Sequence, residues 1–185
     1  MKLPFTGGCA CRAIRYECNA EPIVICKCHC RDCQQISGGA FVPFVIVPSE
    51  AFRLTRGKLQ YHFTESLKRG KHKRGFCANC GSRLTGAESE TPLPSAVVGL
   101  VAGSLDDPSW FRPQMDIFTS DAQPWDQMDP AIPKYEKYPP AELALRIATK
   151  LWRKCPEPAA CSWLYWKGQN VIADTLLDSG RLVME

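Results

Sequence analysis

Up to about residue 119 the apolar positions alternate with polar ones in short runs, the period-two pattern of half-buried strands. Strands are predicted over residues 13–18, 40–47, 52–55, 59–63, 73–76, 96–101 and 116–119, each bounded by turn-forming Gly, Pro, Asn or Ser. One short helix is predicted over Asp32–Ile36, where no breaker intervenes before Ser37-Gly38-Gly39. Past Pro139-Pro140 the period changes. Leu143, Ile147 and Leu151 recur every four residues beside Ala144, Ala148 and Trp152, an amphipathic helix that Cys155-Pro156-Glu157-Pro158 must end. Glu142 precedes Arg146 by four residues, the favourable order for a helical ion pair. Two further apolar stretches follow, over residues 161–166 and 171–177. The pattern is that of a mainly β protein with one domain over residues 1–140. A partly helical extension over 141–185 is expected to pack on the sheet, and its Trp163 to Trp166 cluster also suits a homodimer interface or a pocket wall.

Composition narrows this picture modestly. A chain of 185 residues with 45% hydrophobic content can bury one sizeable core. A formal net charge of +4 favours anionic small molecules without requiring nucleic acid. The run Lys68-Arg69-Gly70-Lys71-His72-Lys73-Arg74 is read as a solvated hairpin tip, because no aromatic residues interleave it to stack on bases. No apolar run approaches the roughly 20 residues of a membrane helix, and the amino terminus lacks a signal-peptide pattern. A cytoplasmic protein without a membrane partner is expected.

The cysteines change the picture most. There are 11, an odd number, and in a reducing compartment their metal-like spacings argue for ligation rather than disulfides. Cys77-Ala78-Asn79-Cys80-Gly81 is a zinc knuckle: the two-residue spacing converges two sulfurs on one ion, and Gly81 permits the turn beyond them. Cys9-x-Cys11, after the flexible Gly7-Gly8, can complete a closed four-thiolate structural site if the first strand lies beside the knuckle. Cys28, Cys30 and Cys33 combine two short spacings within six residues, so their sulfurs can also converge. Three thiolates would leave the fourth zinc position open for a reactant. Cys26 is the rival fourth ligand that would close this site. His29, opposite its neighbours in an extended segment, is expected at the surface or behind the ligands. Cys18, Cys155 and Cys161 have no partner spacing and are read as buried apolar cysteines.

The order Gly-Gly-Cys9-x-Cys11, Cys28-His29-Cys30-x-x-Cys33, Ser37-Gly38, Ala40-Phe41, Phe52-Arg53-Leu54-Thr55-x-Gly57 and Phe76-Cys77-x-x-Cys80-Gly81 resembles the glutathione-dependent formaldehyde-activating enzyme family, which shares its domain with centromere protein V. Ala102-Gly103-Ser104-Leu105-Asp106, Gln123-Pro124-Trp125, Ile132-Pro133 and Tyr138-Pro139-Pro140 extend the likeness to about residues 4–140. The resemblance implies an Mss4-like fold of antiparallel β-sheets. It implies two zincs per chain, a structural one on Cys9, Cys11, Cys77 and Cys80 and a catalytic one on Cys28, Cys30 and Cys33. It further implies a carbon-sulfur lyase, an S-(hydroxymethyl)glutathione synthase-like enzyme joining a thiol to an aldehyde. Glutathione carries two carboxylates and an amine, so Lys27, Arg31 and the Ser37-Gly38-Gly39 turn are the nearby candidates to hold it. The last core strand often carries a histidine in this family where Asp116 stands here, which makes Asp116 a candidate for proton transfer. The alternative function is a non-catalytic, zinc-stabilised module binding a thiol ligand, a protein or nucleic acid.

Overall fold

The structure, a computed structural model, describes residues 1–65, 71–90 and 97–140, with the backbone alone over 87–90. Contacts divide the chain into Met1–Lys137 and Tyr138–Glu185. The helix predicted after Pro140, and the aromatic stretches beyond it, lie outside the described residues.

The first unit is mainly β and is built from two sheets. Strands β1 (Phe5–Gly8), β2 (Arg15–Cys18) and β5 (Phe52–Arg56) form a three-stranded antiparallel sheet in the order β1-β2-β5. The larger sheet has eight strands. These are β3 (Val24–Cys28), β4 (Val42–Pro48), β6 (Gln60–Glu65), β7 (Lys71–Phe76), β8 (Arg83–Glu90), β9 (Val97–Val101), β10 (Met115–Ile117) and β11 (Lys134–Tyr135), in the order β11-β10-β3-β4-β9-β8-β7-β6. Helix α1 (Arg31–Ser37) follows β3 directly. The core takes Phe5, Tyr16 and Cys18 from the small sheet and Val45, Val47, Leu84, Val98 and Leu100 from the large one. The alternation that predicted β2 is visible in it: Tyr16 and Cys18 are buried while Arg15 and Glu17 are not. Among the described residues no helix is long and apolar enough to cross a membrane.

All seven predicted strands and the short helix occur, within a few residues of their expected ends. The sheet is not purely antiparallel, because β10 runs parallel to both β3 and β11. That pairing sets Asp116 beside Lys27, and Met115 beside Cys26. Four strands carry no clear period-two signal. Strand β1 is half glycine, and β11 is only two residues long. Strand β3 runs straight into the metal-like cysteines, and β8 contains Gly86, Ala87 and two glutamates. Tertiary pairing overrides weak propensity here, since β8 bonds to β7 on one side and β9 on the other.

Candidate active site and metal centres

The turn after β1 and the turn between β7 and β8 bring four sulfurs together. Cys9, Cys11, Cys77 and Cys80 have their Sγ atoms all within 4.8 Å of one another. Cys9 and Cys11 are 3.5 Å apart, and Cys11 and Cys77 are 3.8 Å apart. A zinc ion with bonds of about 2.3 Å to sulfur needs tetrahedral edges of about 3.8 Å, so the donor set fits that ion. The backbone shapes both turns. Arg12 takes a left-handed conformation (φ 61°) and donates its N–H to Cys9 O, while Gly81 (φ 72°) donates to Cys77 O. Polar donors favour the thiolate form of Cys80 and Cys11, while burial pushes Cys77 up to about 11. Ser82 holds Cys80 down to about 5, and the Ala13 N–H followed by the Asn79 amide lowers Cys11.

The second cluster is local. Cys28 ends β3, Cys30 caps α1 and Cys33 lies in the helix's first turn, with their sulfurs again within 4.8 Å of one another. The Cys33 N–H donates to Cys30 Sγ at 3.4 Å, so the helix end faces the thiols as its sequence position predicts. Hydrogen bonds from Cys28 and then Cys33 drive Cys30 far below the ordinary thiol range, and its partner Cys28 is raised by the same contact with Cys30. Cys30 is thus the first of the three to ionise. Cys26 is buried in β3 but stands outside the converging set.

Behind these thiols lies a buried polar cluster that spacing alone does not reveal. His29 is fully buried, with Nε2 3.1 Å from Asp116 Oδ1 and Nδ1 2.7 Å from Asp126 Oδ2. Its ring packs against Phe41, and its carbonyl accepts from Gln34 Nε2, which also donates to Asp121 O. Of the two expected positions for His29, surface or behind the ligands, the structure takes the second. Asp116 is fully buried, and its Oδ1 is shared by His29 and Lys27 Nζ, the latter at 3.1 Å. Lys27 therefore turns inward, over the Phe41 ring, while Arg31 is exposed and bonds to Gln34. Ser37, Gly38 and Gly39 end α1 in the open, with Gly38 left-handed at φ 70°.

Two arginines complete the surroundings. Arg74, counted from sequence with the solvated basic tip, is instead buried in β7. Its Nη2 donates to Asp32 Oδ2 and its Nε to Thr64 Oγ1, and its charge adds to the lowering of Cys30 while opposing the net rise of Cys33. The clue was position: Arg74 lies three residues before Cys77, and β7 buries Arg74 and Gly75 together as it nears the knuckle. Arg83 in β8 is lowered by burial and by Arg74, with Cys33 acting against that fall.

A sequence profile described as "Glutathione-dependent formaldehyde-activating enzyme" matches residues 4–121. No curated protein matches the chain. A solved structure, the crystal structure of a Rhodobacter sphaeroides protein from a structural genomics programme, is similar at 17% identity and a TM-score of 0.44, covering 70% of this chain and 98% of that one. With the profile spanning well over half of its length, the chain belongs to the glutathione-dependent formaldehyde-activating enzyme family.

Proposed function

We propose that the protein is a zinc-dependent carbon-sulfur lyase that joins a thiol, glutathione foremost, to formaldehyde or another small aldehyde, or cleaves such adducts. The observation that carries this reading is the convergence of Cys28, Cys30 and Cys33 with no fourth His, Cys, Asp or Glu joining them among the described residues. Three thiolates would hold zinc with one position left for a reactant, whereas Cys9, Cys11, Cys77 and Cys80 would hold a closed structural ion. At the open position zinc supplies a Lewis acid for a carbonyl oxygen or a stabiliser for a substrate thiolate.

The chain's own residues do the rest. Cys30 is held ready as a thiolate by its neighbours and by the Cys33 N–H. Arg74 offsets the negative charge that three close sulfurs accumulate. His29, fixed between Asp116 and Asp126, locks the backbone between Cys28 and Cys30, so the two sulfurs keep their spacing. With its Oδ1 shared by Lys27 and His29, Asp116 acts through them as a positioning residue rather than on the substrate.

The test is magnetisation-exchange NMR on isotopically labelled formaldehyde with glutathione. Zinc-loaded protein should accelerate adduct exchange over the uncatalysed rate, and Cys30→Ser should abolish the acceleration. Equal rates with and without protein, both zincs being present by metal analysis, would remove this substrate pair.

A further inference from the structure

Among the described residues the two sheets end in four outer strands, and three of these edges are blunted. In the small sheet β1 is covered, because Gly7 bridges to Leu105 and the Asp106 N–H donates to Thr6 O. On the other side of that sheet β5 carries Arg53 and Arg56, charges that resist a further strand. In the large sheet β11 is only two residues long. Strand β6 has none of these protections. It is six residues long, it pairs with β7 from Gln60 to Glu65 without a bulge, and it contains no Pro, Lys or Arg. No strand among the described residues takes its outer edge, where an antiparallel strand leaves the N–H and C=O of every second residue unpaired.

One face of β6 is as open as its edge. Leu59, just before the strand, is 8% exposed and belongs to the core, whereas Tyr61 and Phe63, the next two residues on that side by alternation, are each 38% exposed. Lys73 Nζ lies 4.1 Å from the centre of the Tyr61 ring and holds it in place. The two ends of the segment differ in charge: Arg56 and Lys58, both exposed, precede the strand, and Glu65, also exposed, closes it. A second strand of the same sequence laid antiparallel therefore meets unlike charges at both ends, while one laid parallel meets like charges.

We propose that the outer edge of β6 is the pairing site for β6 of a second copy of this chain, giving a two-fold dimer whose large sheet runs through both copies. In an antiparallel pair related by a two-fold axis, the residue on the axis faces itself. An axis at His62 sets Tyr61 of each copy opposite Phe63 of the other, so every exposed aromatic of the strand gains a cross-strand aromatic partner. It also brings Glu65 of each copy to the approach of Lys58 of the other. An axis at Phe63 sets Tyr61 against Glu65, and one at Tyr61 sets Phe63 against Leu59, which the core already buries. Six paired residues form a small interface, so the dimer is reversible and depends on concentration.

Sedimentation velocity of the full zinc-loaded chain, over about a hundredfold range of concentration, should show a reversible equilibrium of monomer and dimer. Phe63→Glu should weaken the dimer at least about tenfold, because a carboxylate then faces each Tyr61 ring. Two double variants test the register. Tyr61→Glu with Phe63→Lys sets unlike charges opposite each other across the axis, and it should associate about tenfold more tightly than Tyr61→Glu with Phe63→Glu, which sets like charges opposite. Circular dichroism and zinc content should match the unaltered protein in all three. Amide hydrogen exchange decides the matter without any variant: protection of the outward β6 amides in the unaltered protein should rise with concentration. A monomer throughout, a dimer indifferent to Phe63→Glu, or equal association of the two double variants overturns the proposal. So do β6 amides that exchange slowly at every concentration, which would show the edge covered within one chain, or rapidly in the dimer, which would place the interface elsewhere.

Discussion

Arg74 Nη2 lies 3.0 Å from Asp32 Oδ2, tying the strand before the zinc knuckle to the helix that carries Cys33. The two ends differ in exposure: the Arg74 side chain is 5% exposed and that of Asp32 is 41% exposed. Truncating the buried end removes charged hydrogen bonds to both Asp32 and Thr64, so Arg74→Met should cost about 2 kcal/mol in urea unfolding of the zinc-loaded protein. Asp32→Asn keeps an oxygen acceptor at a site that water reaches, and it should cost less than about 1 kcal/mol. Equal costs would show that the contact contributes through packing alone.

Gly7 sits where β1 crosses closest to the core. A methyl group built on it would overlap the Tyr16 hydroxyl and the Ser104 carbonyl, neither of which is a flexible chain end. Tyr16 is buried and donates to Ser104 Oγ at 2.8 Å, while Ser104 in turn donates to Val101 O. Gly7→Ala should therefore destabilise by about 2–3 kcal/mol through overpacking. Gly38→Ala is the contrast, because its Cβ meets open space and only the left-handed backbone resists it. That change should cost about 1–2 kcal/mol. Thermal unfolding midpoints of the two variants decide the order, and a larger drop for Gly38→Ala would contradict the packing argument.

These contacts mark where the sequence was readable. Strand β2, with its period-two burial, strand β4, with its nearly continuous apolar run, and the cysteine spacings were legible because all are local: neighbours within a few residues set them. Strand β8 was not, since Gly86 and Ala87 carry no strand preference and its two neighbours in the sheet fix it. The same holds at the site. Asp126 reaches His29 from 97 positions away, so no spacing rule could pair them. Arg74 was misjudged because a basic run looks solvated when counted as a block, although burial deepens along β7 toward the knuckle and takes in Arg74 and Gly75.

Tyr16 also predicts an alkaline limit to stability. Burial pushes its phenol up from 10.0 to about 12, despite the opposing hydrogen bond with Ser104. Above pH 10 the unfolded chain releases this proton while the folded one keeps it, so the unfolded state holds fewer protons and stability falls. The contribution is fully present below pH 10 and is lost as pH rises through about 12. Two units correspond to at most about 3 kcal/mol. Tyr16→Phe should lower stability at pH 7 through the lost hydrogen bond and flatten the decline between pH 10 and 12. An unchanged slope in that window would assign the decline to other groups.

The two cysteine clusters should respond very differently to loss of a ligand, because they close loops of different length. Cys9 and Cys11 follow β1 of the small sheet, while Cys77 and Cys80 stand between β7 and β8 of the large one. A metal there would bridge the two sheets across a sequence separation of 66 from Cys11 to Cys77. The other three thiols fall within residues 28–33, where β3 and α1 already hold the backbone. Closing a long loop restricts the unfolded chain more than closing a short one, and structural zinc supplies folding energy on the order of 10 kcal/mol. Metal analysis should give two zincs per chain for the unaltered protein and about one for either Cys80→Ser or Cys33→Ser. Cys80→Ser should unfold or melt far lower, whereas Cys33→Ser should keep the β-sheet circular dichroism signal and most of the cooperative transition. Chelator titration should remove the zinc of the 28–33 cluster first, since one of its positions is open to competing ligands. If Cys33→Ser unfolds the chain while Cys80→Ser leaves it intact, the division into a structural and a reactive centre is reversed.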